Sequence, residues 1–242
     1  MAENKDDSGL SKSDIRGVLG GRQRLMDAAL ELAATTRSLA SLGLREVARQ
    51  AGLNPNTFYR HFRDFDELGV AMLDELGVHL RRGLRERRMQ AAGEGLRVVD
   101  FSKPIEGLQE AQAIARESVA LVLEFVTEHR AAYTVGVREM HGSSPAIRKA
   151  MRNLLDGIAL DMTEDLMGVL RFPGVTQDEM LEIANVVVRQ MVFFSMDYLE
   201  NEPRRPQILR EAERFILLLF WGAIAAKTPE LLSDPRLRFP EF

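Results

Sequence analysis

The sequence predicts an all-α protein, a three-helix head carrying a helix-turn-helix joined to a larger helical body. Three observations carry that prediction. Apolar residues recur at helical spacing, as in Leu44, Val47, Ala48 and Ala51. Asn-Pro, Gly and Pro punctuate the periodic runs where helices start and stop. No stretch alternates apolar with polar residues long enough to compete as a strand.

Residues 1–20 are polar and glycine-bearing, without the apolar run of a signal peptide. Lys5, Lys12 and Arg16 are offset by Glu3, Asp6, Asp7 and Asp14, so this reads as a disordered arm and not a basic one. A first helix is expected from Arg22 to about Arg37, with Leu25, Ala29 and Leu32 inward. The second helix starts after Gly43, which offers no side-chain cap, and Glu46 three residues later can reach back to the free amide. Gly52 ends it, being free to take positive φ. Asn54 then caps a third helix whose first position is Pro55, where the missing N–H had no partner to lose. Its inward side is Leu53, Phe58 and Phe62, and its remainder is Asn56, Thr57, Tyr59, Arg60 and His61. The small Ala48 and the Gly52 turn let the two helices cross closely.

Asp64 and Glu67 read as a capping box for a fourth helix with Leu68, Met72, Leu76, Leu80 and Leu84 at intervals of four, running to about Met89. Its basic end, Arg81, Arg82, Arg85, Arg87 and Arg88, reads as a solvated terminus favoured by the helix dipole. A loop carrying Gly93, Gly95 and Pro104 follows. Further helices are expected at about 106–128, 130–140, 145–170, 177–200 and 206–226, with no internal repeat. The run 215–226, FILLLFWGAIAA, is too short to span a bilayer and reads as a buried helix, so no membrane partner is expected. The domains expected are the arm 1–20, a head 21–66 and a body 67–242.

The net charge of −4 argues against nonspecific coating of nucleic acid, but its distribution is uneven. Residues 22–63 hold seven arginines against Asp27, Glu31 and Glu46, a local charge of +4 that leaves −8 on the rest. A positive head on an acidic body focuses duplex phosphates onto one end. The exposed remainder of the helix-turn-helix supplies the chemistry. Arg can donate two bonds to a guanine edge, Asn can pair with adenine, and Thr or Tyr hydroxyls hold phosphate oxygens. The candidate DNA contacts are Arg45, Asn54, Pro55, Asn56, Thr57, Tyr59, Arg60, His61 and Arg63.

Nothing favours catalysis. The chain has no cysteine, which excludes disulfides and thiolate chemistry and agrees with a cytoplasmic, reducing location. Its histidines, His61, His79, His129 and His141, include no HExxH pair and no metal-holding spacing. Gly17, Gly20 and Gly21 lack the preceding strand and following lysine of a phosphate loop. No cofactor is expected. Two rival classes remain open at this point: a helical partner-binding or membrane-surface protein whose motif has lost DNA binding, and an all-helical enzyme.

The segment from Arg22 to about residue 70, which contains the Tyr-x-His-Phe run at Tyr59 to Phe62, resembles the DNA-binding domain of TetR-type one-component repressors. Within that family, SLxLREVARxAG with FYRHFRDxDELG is most similar to the repressors of unsaturated fatty-acid synthesis, which bind long-chain acyl-CoA. Arg138, Glu139, Gly142, Ser143, Ser144 and Arg148 resemble a second, weaker motif of that subgroup. The resemblance implies a repressor modulated by a small hydrophobic effector of the acyl-CoA class. Two positions depart from the family. Phe65 stands where Lys usually begins the fourth helix, leaving Arg63 as the nearest substitute, and Gly43 replaces the usual Ser or Thr cap.

The body offers residues for both tasks that remain. Phe125, Tyr133, Met140, Met151, Met162, Phe172, Met191 and Phe193 are candidate walls of an effector pocket, or plain core. The last two helices are apolar on more than one face, which suits a symmetric homodimer interface with Val187, Phe194, Tyr198, Phe215, Leu218 and Leu219, or again plain core. A dimer is what a palindromic operator requires, since one recognition helix covers one half-site.

Overall fold

The computed structural model describes residues 12–35, 38–91, 99–100, 104–171 and 174–229. Among them the α-helices are α1 (Lys12–Ala34), α2 (Leu44–Gln50), α3 (Pro55–His61), α4 (Phe65–Ala91), α5 (Pro104–Glu128), α6 (Arg130–Glu139), α7 (Pro145–Val169), α8 (Gln177–Glu200) and α9 (Arg205–Lys227). Short 3-10 turns, η1 (Leu39–Ser41) and η2 (Glu202–Arg204), precede α2 and α9. The sole departure from an all-α plan among these residues is a two-residue parallel pairing of Val99–Asp100 with Leu170–Arg171.

From α2 onward the predicted boundaries and the observed ones differ by only a few residues. The first helix differs more, starting at Lys12 instead of Arg22. Of the arm expected to be disordered, residues 12–20 are therefore helical, and 1–11 lie outside the described residues, as does Arg37. Extending an existing helix costs far less than nucleating one, so a helix anchored by buried Leu25, Met26 and Ala29 carries Gly17, Gly20 and Gly21 along.

Contacts divide the chain into two compact units. The first joins the residues up to Leu76 with Ala131–Met151, so α6 and the start of α7 belong with the three-helix head. Here α1, α2 and α3 pack on one another around Leu25, Ala29, Val47, Ala48 and Phe58, each with no measurable exposure. Leu44, Leu53 and Leu32 are only half-buried at the margins.

The α2–α3 turn shows why Gly52 is needed. Its φ is +64°, its N–H donates to the Arg49 carbonyl at 3.0 Å, and the N–H of Leu53 donates to the Ala48 carbonyl at 2.8 Å. These are the two bonds of a Schellman ending, which satisfies carbonyls the helix leaves open. Arg24 adds a bond from α1 to the Gly52 carbonyl at 3.3 Å.

At the start of α4 the expected capping box is half made. Asp64 Oδ1 accepts from the Glu67 N–H at 2.8 Å, as predicted. The Glu67 carboxylate instead takes the N–H and Nε of Arg63, at 2.8 and 3.0 Å, because arginine offers a charge as well as an amide.

The second unit, Gly77–Arg130 and the described residues from Arg152 onward, is built on α5, α8 and α9. One core cluster sets Ala115, Val119 and Leu123 of α5 against Val187 and Met191 of α8 and Ala212, Ile216 and Leu217 of α9. A second gathers Ile114, Leu166, Val175, Met180 and Ile224. Thr176 and Glu179 form a complete capping box for α8, and Glu179 also binds Lys227 near the end of α9 at 2.6 Å. The arginines expected to be merely solvated are partly engaged. Arg81 makes a two-pronged pair with Asp161 at 2.6 and 2.7 Å, and Arg85 lies 3.7 Å from the buried Asp165. The side chains of Arg87 and Arg88 lie outside the described residues. No described helix is long and apolar enough to cross a membrane.

Candidate nucleic-acid interface

The outward face of α3 is set by what its inward face must do. Phe58 has no exposure, and its ring meets those of Phe62 and Phe65 at centroid distances of 5.8 and 5.2 Å. Fixing Phe58 inside turns Asn56, Tyr59 and Arg60 outward, since positions i, i+3 and i+4 share a face. Tyr59 is 66% exposed, unusual for a large aromatic side chain packed edge-on against Phe58 at 5.8 Å. A phenol, a carboxamide and a guanidinium thus lie together on a short helix with free ends. Arg45, on α2, is exposed as well.

The remaining candidates are less free. Asn54 spends its Oδ1 on the Asn56 N–H at 2.9 Å, leaving its amide hydrogens to offer elsewhere. Pro55 and Thr57 are half-buried in the first turn. Arg63 is 83% exposed but held by Glu67, whose carboxylate raises the Arg63 pKa, while the Arg63 N–H and then its guanidinium lower that of Glu67. It is therefore a partly neutralised substitute for the lysine that Phe65 displaces. Phe65 itself is packed on Phe58, so that position is used for the core.

His61 is half-buried and its ring lies against α1 at Gly21. Burial, then Arg22, then Arg60 push its pKa below the ordinary 6.5, favouring the neutral ring. Arg22 in turn sits over the Phe62 ring at 5.3 Å.

The expected pocket residues are divided between the two units. Tyr133, Met140 and Met151 belong to the first unit, whereas Phe125, Met162, Met191 and Phe193 belong to the second, and Phe172 lies outside the described residues. Met191 and Met151 are core side chains, Met162 borders both core clusters of the second unit, and Phe125 packs on His129 at 4.4 Å. Phe193 is 65% exposed on α8 and lines no interior wall. In the first unit a cavity of about 20 Å3 touches Leu39, Met72, Leu73, Val135, Glu139 and Ile147, room for a water at most.

The expected interface residues differ in exposure. Val187 is 3% exposed and belongs to the chain's own core, whereas Val186, one residue earlier, is half exposed. The same holds for Phe194, whose ring packs on Phe215 at 5.9 Å, beside the outward Phe193. Tyr198 is covered by Arg205, 5.0 Å from its ring centre. Leu218 is exposed and Leu219 half-buried on α9. Helical periodicity could not tell which of two adjacent residues faced the core.

Comparison with known proteins adds two findings. Residues 25–72 match the family of bacterial regulatory proteins described as the tetR family. Solved structures share the fold over most of the chain. The fatty acid degradation regulator FadR from Bacillus halodurans is 13% identical with a TM-score of 0.59, over 81% of this chain and 94% of that one. A TetR-family transcriptional regulator from Rhodococcus sp. is 16% identical with a TM-score of 0.59, over 85% and 98%. FadR from Bacillus subtilis, solved in complex with stearoyl-CoA, is 15% identical with a TM-score of 0.54, over 82% and 96%.

Proposed function

We propose that this chain is a TetR-family DNA-binding transcription regulator, a homodimeric repressor that reads a palindromic operator and answers to a small hydrophobic effector. The observation that carries the reading is the outward face of α3, where Asn56, Tyr59 and Arg60 stand exposed beside a fully buried Phe58. In this reading the head 21–66 seats α3 in a major groove and the body 67–242 dimerises and holds the effector.

Each residue then has a task its chemistry suits. Arg60 and Asn56 meet base edges, while Tyr59, Thr57 and Arg45 hold phosphates and fix the register. Asn54, whose side-chain amide hydrogens are not used in the cap, and Pro55 lie at the start of α3, toward the backbone of the duplex. His61 seats α3 on α1, and Arg63 contributes a phosphate contact weakened by Glu67.

Dimerisation through α8 and α9 is supported by Val186, Phe193 and Leu218, large apolar side chains that this chain leaves exposed on those helices. Acyl-CoA as the effector class is supported by the fold shared with the FadR structure that holds stearoyl-CoA. An effector acts only by binding two conformations with different affinity, so it must alter the spacing or tilt of the paired α3 helices.

The test is selection of bound duplexes from a random pool, followed by mass spectrometry of small molecules that co-purify. The expected result is a two-fold symmetric sequence with half-sites about one helical turn apart, bound by two chains. Recovery of sequences with no shared element would overturn the reading.

A further inference from the structure

We infer that the last turn of α6 holds the DNA-reading helices in place, making Arg138 and Glu139 positioning residues for operator recognition although neither belongs to the helix-turn-helix. This rests on the operator-binding reading above.

The geometry is a two-point grip on backbone. Arg138 Nη1 donates to the carbonyl of Ala33, in the last turn of α1, at 2.9 Å. Glu139 Oε1 accepts from the N–H of Leu39, the first residue of η1, at 2.8 Å. The last carbonyls and first amides of helices have no partners of their own, so both bonds fill vacancies that water would otherwise take. Neighbouring side chains of one helical turn thus hold the chain on either side of the connection from α1 to η1 and α2. All of these residues lie within the first compact unit.

Glu139 is an expensive choice for a merely structural contact. It is 1% exposed, and Oε2 has no hydrogen-bond partner. Its surroundings include Met72, Leu73, Leu76, Val135 and Ile147. A buried carboxylate with one oxygen unmatched works against folding, and a leucine would pack there without that penalty. What the carboxylate supplies is a charge-assisted bond to the Leu39 amide, roughly twice as strong as a neutral one.

The rest of the segment keeps this corner rigid. Gly142 has no Cβ, and one placed there would press on Glu139 Oε2. Its carbonyl accepts from Arg148 Nη1. Ser144 is buried and its Oγ accepts from the Ile147 N–H at 3.1 Å, capping α7. Arg138, Glu139, Gly142, Ser144 and Arg148 therefore act as one fitted corner against the head.

The experiment compares wild type with Glu139→Gln, Arg138→Gln and Gly142→Ala, in the full-length chain, for affinity to a selected duplex and to a scrambled one. Glutamine keeps the shape and the acceptor but removes the charge. The expected result is a roughly tenfold loss of the selected-to-scrambled ratio, the difference between a charge-assisted and a neutral bond, with binding to scrambled duplex retained. Simple destabilisation would lower both affinities together and leave the ratio unchanged. An unchanged ratio in the folded variants overturns the inference. A wild type that shows no preference for any selected duplex would instead overturn the operator-binding reading, so the two failures are distinguishable. Should one variant not fold, the other two carry the comparison, since Gly142→Ala disturbs Glu139 without altering its charge.

Discussion

His61 Nε2 lies 2.7 Å from the point where a Cβ on Gly21 would stand, so the end of α3 rests on a bare stretch of α1. Gly21→Ala must push the ring aside. Because the obstructing atom is the tip of a side chain that can rotate, the expected cost is about 1 kcal/mol, the low end for overpacking. Chemical denaturation should report that loss, and operator affinity measured well below the melting temperature should fall as well.

The same ring makes the head sensitive to acid. Its pKa in the folded protein is below 6.5, so the unfolded chain binds the proton more readily. The His61 contribution is therefore fully present above pH 6.5 and is lost as pH falls through the lower folded value. Stability measured between pH 8 and 5 should drop less in His61→Gln than in wild type. Equal slopes would show that the ring does not feel its surroundings.

Gly52 tests the turn. With φ at +64°, any side chain there meets the left-handed penalty, and Arg24 Nη2 stands 2.8 Å from the position of a Cβ. Gly52→Ala is expected to destabilise the fold by about 1–2 kcal/mol, the usual left-handed penalty. Denaturant midpoints check it, and a neutral substitution would contradict the turn geometry.

Tyr59 and Asn56 share a face but not a task. Tyr59→Ala should weaken binding to every duplex by a similar factor, because a phosphate contact carries no sequence. Asn56→Ala should change which base is preferred at one position of each half-site, by about 1–3 kcal/mol of discrimination. Competition binding against single-base variants of the selected duplex separates the two.

The α8–α9 lock gives a second pH marker, at lower pH. Glu179 is held to about 2, first by Lys227 and then by the Thr176 amide. A carboxylate with a depressed folded pKa stabilises above its ordinary 4.5, and that contribution is lost as pH falls toward 2. Glu179→Gln should therefore melt lower than wild type at neutral pH and converge with it near pH 2. A gap that persists in acid would point to lost packing instead.

The helices were legible because each had its own local cause. Asn54 and Pro55 start α3, Gly52 ends α2, and Thr176 with Glu179 starts α8, all within four residues of sequence. What escaped was decided by partners far along the chain. One exception is local: Arg63 takes the Glu67 carboxylate expected to reach back to Asp64, an i, i+4 pairing that competes with the capping box. Arg81 and Asp161 are 80 residues apart, and periodicity alone left the arginine solvated. Val187 and Phe194 were one residue from the outward Val186 and Phe193, because a helix apolar on several faces does not declare which face is covered. The contact from Glu139 to Leu39 spans 100 residues, and no local rule would place a carboxylate in that core.

Everything above converges on the exposed face of α3 meeting a duplex. The most direct measurement is the affinity of the full-length protein for a selected palindrome and for its scrambled counterpart across a salt series, with Arg60→Ala alongside. The account predicts a preference of about a thousandfold or more for the palindrome in the wild type, and a preference smaller by about 1–3 kcal/mol in the variant, because Arg60 reads a base edge. Equal affinity for the two duplexes, or a variant indistinguishable from wild type, would contradict it.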